Sequence, residues 1–203
     1  NPASKEYPNP RAADNPQHVT GLSGEALPDW EEEERVNILL LGVDKRPDEQ
    51  YARSDTMILV TIDPATGKAG MLSIPRDLWV TIPGYGERRI NTAHYLGDNN
   101  GYPGGGPALA MKTVQYNLGV PVHFYMRVDF EGFRHIVNTL GGIDIDVAQT
   151  INDPKYPDEN YGYDPFYIEA GLQHLDGDMA LKYARTRATL GADFDRARRQ
   201  QQV

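Results

Sequence analysis

The sequence predicts an α/β fold, and three observations carry the prediction. From Val36 onward, short apolar runs alternate with segments of helical periodicity. The first run, Val36 to Val43, is apolar throughout except for Asn37, as expected of a strand buried on both faces. The chain has 203 residues, is 39% hydrophobic and lacks cysteine, so it can close one ordinary core without disulfides.

Taken in order, residues 1–33 hold Pro2, Pro8, Pro10, Pro16 and Pro28 with no apolar periodicity, and read as a linker before a domain spanning 34–203. The strand Val36 to Val43 ends at Asp44. Met57 to Ile62 is a second strand; the turn composition Asp63-Pro64-Ala65-Thr66-Gly67 joins it as a hairpin to a third from Ala69 to Ile74. Pro107, Ala110, Met111, Val114 and Leu118 share one helical face, with Gly119 as the stop signal and a strand from Val120 to Val128 after it. Phe133, Ile136, Val137 and Leu140 repeat that spacing before the strand Ile143 to Val147. Asp153 to Tyr167 carries little periodicity, Asp176 to Ala184 reads as a short helix, and Arg196 to Val203 as a helix cut off by the end of the chain. No apolar run is long enough to cross a bilayer, and the chain opens at Asn1 rather than Met, so it reads as part of a longer protein.

The formal charge of −9 is unevenly placed, with −5 of it in residues 1–35. Lys182 to Arg199 is locally basic, and the chain uses fourteen Arg against six Lys, the cation better suited to bidentate contact with phosphate. The acidic balance and the lack of a continuous basic stripe disfavour nucleic acid as a partner, and none is expected. The five histidines show no metal-ligand spacing and are read as structural. No serine sits in a nucleophile elbow, and Gly104-Gly105-Gly106 lacks the Lys-Ser/Thr of a P-loop.

Topology gathers polar residues at one place. The segment between Asp44 and Asp55 contains Pro47 and no helical pattern, so strands one and two run antiparallel. Asp44, Arg53, Asp55 and Arg76 then fall at one sheet end, with Arg53 and Asp55, two apart, on one face. Arg185 and Arg187 share a face if Tyr183 to Thr189 is extended; Arg196, Arg199 and Gln200 do so if the last segment is helical. Two carboxylates beside guanidiniums suit Mg2+ sharing its coordination with phosphate oxygens, and together the arginines could surround a diphosphate. Taken alone, each residue also fits a plainer role: Asp44 as a turn cap, Arg53 with Asp55 as an exposed ion pair of about 0–1 kcal/mol, and Arg196, Arg198 and Arg199 as a solvated helix face. Tyr156, Tyr161, Tyr163, Tyr167 and Phe166 fit either a sugar-contacting or membrane-facing lip or simple packing.

In order, Val36-Asn37-Ile38-Leu39-Leu40-Leu41-Gly42-Val43-Asp44, Arg53-Ser54-Asp55-Thr56, Ser73-Ile74-Pro75-Arg76-Asp77, Ile90-Asn91, Leu140-Gly141-Gly142-Ile143, Tyr183-Ala184-Arg185-Thr186-Arg187 and Arg199-Gln200-Gln201 closely resemble the LytR–CpsA–Psr family. The resemblance implies a three-layer α/β/α sandwich around a central mixed β-sheet, on the outer face of a bacterial membrane, tethered by a helix upstream of Asn1. It implies a Mg2+-dependent phosphotransferase that moves a glycopolymer from a polyprenyl diphosphate carrier to a peptidoglycan acceptor. By motif position Asp44 and Asp55 resemble the metal ligands, and Arg53, Arg76, Arg185 and Arg187 the diphosphate ligands; Arg199 and Gln201 resemble further contacts. Asp44, Asp55 and Arg76 are the catalytic candidates, with Asp44 or Asp55 as general base and Asp77 the weaker choice. Rival readings are a binding module without turnover and a polyprenyl diphosphate-sugar pyrophosphatase. The chain departs from the family pattern at Asp195, where Asp193-Phe194-Asp195-Arg196 stands for Asp-Phe-Gly-Arg, an acidic replacement expected to weaken anion binding nearby.

Overall fold

The computed structural model describes residues 35–44, 52–158 and 162–203, so the linker expected over 1–33 lies outside the described residues. The chain forms two compact units, the first ending at Val128 and the second running from Asp129 to Val203. No helix among the described residues is long and apolar enough to cross a membrane.

The first unit is built on β1 (Val36–Val43), β2 (Ser54–Asp63) and β3 (Lys68–Ser73), a hairpin β4 (Trp79–Ile82) and β5 (Gly86–Arg89), helices α1 (Thr92–Asn99) and α2 (Gly105–Leu118), and β6 (Phe124–Asp129). The sheet order is β3-β2-β1-β6. β1 pairs antiparallel with β2, and β2 with β3, as the sequence predicts. Asp63 fixes the hairpin turn by accepting from Ala65 N and Thr66 N at 3.0 and 3.1 Å, and these bonds hold its carboxyl below the usual range. His123 N donates to Asn37 O at 2.9 Å, joining the start of β6 to the start of β1. Two neighbours that begin at the same level must run parallel, so the sheet is mixed.

β1 differs from expectation. Asn37, Leu39, Leu41 and Val43 are buried, whereas Val36, Ile38, Leu40 and Gly42 are only half-buried, so burial alternates along the strand. Leu39 and Leu41 of that face pack with Met57, Leu59, Ile82, Ile90, Leu109 and Val114 in one apolar cluster. Each such side chain is worth roughly 1.5–3 kcal/mol of burial. Asn37 is the polar exception, and it is satisfied: its Nδ2 donates to Pro121 O at 2.8 Å and its Oδ1 accepts from Thr61 Oγ1 at 2.7 Å. Its backbone N–H donates to His123 Nδ1 at 2.8 Å, which requires the Nε2–H tautomer of His123. The strand expected from Val120 begins only at Phe124, because Gly119 is left-handed and Pro121 has no N–H for a ladder.

The second unit holds α3 (Phe130–Thr139), β7 (Ile143–Val147), β8 (Ile151–Asp153), β9 (Phe166–Ile168), β10 (Gly171–Leu175), α4 (Gly177–Arg185) and α5 (Ala192–Gln202). β7 pairs with β10 and β8 with β9, both antiparallel. The β8–β9 ladder lies at the edges of the stretch that shows no periodicity; with three residues per strand, it offers too few alternations to read. Asp129 and Asp176 cap α3 and α4 by accepting from Gly132 N and Met179 N at 2.8 and 2.9 Å. α4 runs through Arg185, which overturns the extended reading of Tyr183 to Thr189: Tyr183 and Ala184 continue the buried helical face of Ala180 and Leu181. α5 starts at Ala192, four residues earlier than expected, with Asp193 and Asp195 in the first turn, where carboxylates favour a helix.

An exposed histidine in this unit yields a pH prediction. His174 Nδ1 lies 2.7 Å from Asp144 Oδ1 and its Nε2 3.0 Å from Gly141 O. Both partners are acceptors, so both contacts are hydrogen bonds only in the imidazolium, and the pKa is raised, chiefly by Asp144. Stability from this contact is fully present below the unfolded value and is lost as pH rises through the folded one. NMR titration is expected to place His174 above the ordinary histidine range and Asp144→Asn to lower it. The melting difference between wild type and Asp144→Asn shrinks from pH 5.5 to pH 8.5; a difference independent of pH contradicts this assignment.

Candidate active site

In the first unit the register decides where the site residues go. Gly42 pairs with Thr56, but Val43 pairs with Ser54, which leaves Asp55 as the extra residue of a β-bulge. Glycine is required opposite it: a Cβ on Gly42 would stand 2.9 Å from Thr56 Cβ. The bulge puts Ser54 into the buried face with Val43, at 0% exposure, with the exposed Arg53 and the half-buried Asp55 on either side of it. Asp55 pairs with Arg76, whose Nη1 lies 2.8 Å from Asp55 Oδ1. Ile74 N donates to Met57 O at 2.8 Å, extending the β2–β3 register and bringing Arg76 alongside the start of β2. Asp44, half-buried, follows β1 at that end of the sheet, and Arg53, exposed, precedes β2 there.

The pair belongs to a longer chain of charge. Arg76 Nε is 3.5 Å from Asp77 Oδ2, and Asp77 Oδ1 is 3.3 Å from Arg89 Nη1. Arg89 escaped sequence reasoning because only the β4–β5 register shows which way it faces. Arg53 makes no hydrogen bond or ion pair among the described residues. Its backbone is held from the preceding residue, since His94, 1% exposed, directs Nδ1 at Ala52 O at 3.0 Å. Burial pushes His94 below its usual pKa, against the opposing pull of the Ala52 carbonyl and Asp98. Near these charges, the buried Ser54 Oγ and Asn91 Oδ1 have no hydrogen-bond partner among the described residues.

No group of three or more His, Cys, Asp or Glu that could hold a metal occurs among the described residues. Magnesium takes only one or two protein carboxylates and keeps several waters, so two hard donors at one sheet end, Asp44 and Asp55, have the chemistry to hold it.

In the second unit Arg185 closes α4. Its guanidinium carbon lies 3.9 Å from the Phe130 ring centroid, and Nη1 donates to Tyr156 Oη at 3.1 Å. Arg187, half-exposed, faces Asp193 Oδ1 at 3.2 Å. Because one lies on the helix and the other beyond it, Arg185 and Arg187 do not share an extended face. Arg199, expected as a phosphate contact, is 5% exposed and turned into the protein. Its Nε donates to Tyr183 O at 2.8 Å, Nη1 to Thr189 Oγ1 at 3.3 Å, and Nη2 to Thr186 O. It thus caps the end of α4 and fixes the link between Arg185 and Arg187. Gln201 is half-buried, and its neighbour Gln202 accepts from Tyr183 Oη at 2.9 Å. Asp195 accepts from Gly191 N at 3.0 Å, and hydrogen bonds from Thr189 and Gly191 hold its carboxyl below the usual range. Its charge is therefore engaged at the start of α5. Of the aromatic group, Tyr156 and Phe166 are buried with ring centroids 6.1 Å apart, Tyr163 and Tyr167 are exposed, and Tyr161 lies outside the described residues.

The model of the LytR_cpsA_psr family matches residues 2–203. The polyisoprenyl-teichoic acid–peptidoglycan teichoic acid transferase TagU of Oceanobacillus iheyensis is 42% identical over 175 residues, covering 86% of this chain and 51% of that protein. The regulatory protein MsrR of Staphylococcus aureus is 37% identical over 169 residues, covering 83% and 47%. The chain thus spans about half the length of the curated relatives it matches. Among solved structures, B. subtilis TagV superposes with a TM-score of 0.69 at 33% identity, covering 85% of this chain and 63% of that one. The family protein YwtF (TagT), solved with bound octaprenyl pyrophosphate lipid, gives 0.63 at 31% identity, covering 91% and 70%. On the family match and the identity to TagU, the chain belongs to the LytR–CpsA–Psr family.

Proposed function

We propose that this protein transfers a glycopolymer from a polyprenyl diphosphate carrier to peptidoglycan at the outer face of the bacterial membrane, with a membrane helix in the longer protein as tether. The observation that carries the reading is the Asp55–Arg76 ion pair at 2.8 Å, set where three strand ends place Asp44 and Arg53. A structural neighbour with octaprenyl pyrophosphate bound supports the ligand class.

In the proposed reaction a peptidoglycan hydroxyl attacks the sugar-side phosphorus in line. The new phosphorus–oxygen bond forms as the bond to the bridging oxygen breaks, and polyprenyl phosphate leaves. Phosphoryl transfer needs chiefly positioning and charge neutralisation, so no Ser–His or Cys–His pair is required. Arg53, Arg76, Arg185 and Arg187 hold the diphosphate oxygens, and Asp44 or Asp55 takes the hydroxyl proton, with Asp77 third because it bridges Arg76 and Arg89. Magnesium, held by Asp44 and Asp55, would supply charge neutralisation at the phosphoryl oxygens. Gln201 contacts the phosphates, and Arg199 positions the Arg185–Arg187 segment.

The test is a reconstitution with a short-chain polyprenyl diphosphate-linked oligosaccharide, magnesium and a soluble peptidoglycan fragment, followed by mass spectrometry. Phosphodiester-linked product with stoichiometric polyprenyl phosphate is expected, and Arg76→Ala is expected to reduce it at least a hundredfold. Sugar phosphate released into water without coupled product supports hydrolysis instead; binding without turnover supports the binding module.

A further inference from the structure

The β4–β5 hairpin presents two unlike faces. Val80 and Ile82 point into the core at 8% and 0% exposure, whereas Trp79 is 64% exposed and makes no ring contact among the described residues. An indole is usually buried for most of its area, so a solvent-facing one on a fixed frame calls for an explanation. The frame is fixed. Ile90, fully buried, donates its N–H to Leu78 O at 2.8 Å, and Asn117 of α2 brackets Thr81, accepting from its N–H at 3.3 Å and donating to its carbonyl at 2.8 Å.

The register places Arg89 directly opposite Trp79 and Glu87 opposite Thr81, so these four side chains share the outer face. Arg89 is 60% exposed and is held by Asp77, which also contacts Arg76 Nε at 3.5 Å. One carboxylate therefore links this face to the arginine assigned to the diphosphate.

We propose that the outer face of the β4–β5 hairpin is a saccharide subsite: Trp79 is the stacking floor, Arg89 and Glu87 are the hydrogen-bonding rim, and the occupant is the sugar bonded to the diphosphate. This rests on the reading that Arg76 takes the diphosphate. A pyranose has an apolar C–H face and a rim of hydroxyls, which matches one aromatic plane bordered by planar donors and acceptors. The acidic neighbours Asp77 and Glu87 disfavour the rival occupant, an anionic membrane surface, which wants several apolar side chains with a basic border. The subsite selects the first sugar of the donor and does not contribute to bond making.

The test compares two soluble probes in the presence of magnesium: farnesyl diphosphate and N-acetylglucosaminyl farnesyl diphosphate. By calorimetry, wild type is expected to bind the sugar-bearing probe more tightly, and Trp79→Ala to weaken that probe about tenfold while leaving farnesyl diphosphate unchanged. Trp79→Phe retains most of the preference, and Arg89→Ala loses part of it. The chain has two tryptophans, so in a Trp30→Phe background the emission of Trp79 reports occupancy directly and responds only to the sugar-bearing probe. Equal binding of both probes by wild type, or equal effects of Trp79→Ala on both, overturns the subsite and leaves the diphosphate reading standing. Failure of wild type to bind either probe removes both. A Trp79-dependent affinity for anionic phosphatidylglycerol vesicles without any sugar preference assigns the face to the membrane instead.

Discussion

Asp55→Ala is expected to abolish transfer, by a factor of about 10²–10³ or more, while polyprenyl diphosphate still binds within about threefold of wild type. The asymmetry follows from what each side of the pair does. The arginines supply attraction to the diphosphate whether or not Asp55 is present, and removing a carboxylate beside Arg76 does not diminish that attraction. What disappears is the negative group that orients Arg76 at 2.8 Å and that, with Asp44, suits a divalent cation. Stability should barely change. The Asp55 and Arg76 side chains are 37% and 25% exposed, and solvent screening limits so open a pair to about 0–1 kcal/mol. Asp55→Asn sharpens the test: it keeps an oxygen that accepts from Arg76 but lacks the charge, so its activity should be as low as that of the alanine variant. Activity and binding are read on the same preparation with the same short-chain lipid probe. A variant that loses lipid and turnover together deprives Asp55 of its catalytic assignment, and an Asn variant that retains turnover shows that the oxygen, not the charge, matters.

The location of that pair was legible because topology is governed by long stretches of simple chemistry. The Pro47-containing connection has no helical periodicity, and Asp63 to Gly67 has turn composition; these two facts were enough to bring Asp44, Arg53, Asp55 and Arg76 to one sheet end. The detail within the site was not legible. A bulge at Asp55 is a property of pairing between two strands, and nothing in Arg53-Ser54-Asp55-Thr56 alone announces which residue is extra. The same holds for Trp79 and Arg89, ten residues apart, which become neighbours only through the register of a four-residue hairpin. At Arg185, helical packing of Ala180, Leu181, Tyr183 and Ala184 outweighed an extended reading that rested on the spacing of two arginines. Arg199 misled for a different reason. Arginines in a polar helix read as solvated or ligand-binding, whereas burying this one is tolerable only because Tyr183 O, Thr186 O and Thr189 Oγ1 receive three of its N–H groups.

Those three bonds make Arg199→Ala the substitution with the largest expected effect on stability. Removal strands two buried carbonyls at the end of α4, each costing about 1–3 kcal/mol when left without a donor, so a loss of about 3–5 kcal/mol is expected. For a chain of this size that corresponds to a fall in melting temperature of roughly 6–20 °C. Arg199→Lys should recover little, since an ammonium on a flexible stem cannot reach in three fixed directions as the planar guanidinium does. Function should follow indirectly: Thr186 stands between Arg185 and Arg187, and freeing its carbonyl loosens the segment that presents them. Measured well below the melting transition, where the variant is still folded, affinity for the short-chain lipid diphosphate should therefore drop by less than it does for Arg185→Ala. A direct phosphate ligand predicts the opposite pattern, with melting temperature near wild type and binding lost in full. Calorimetric melting and lipid titration on the same two variants thus separate an arginine that holds the chain from one that holds the substrate.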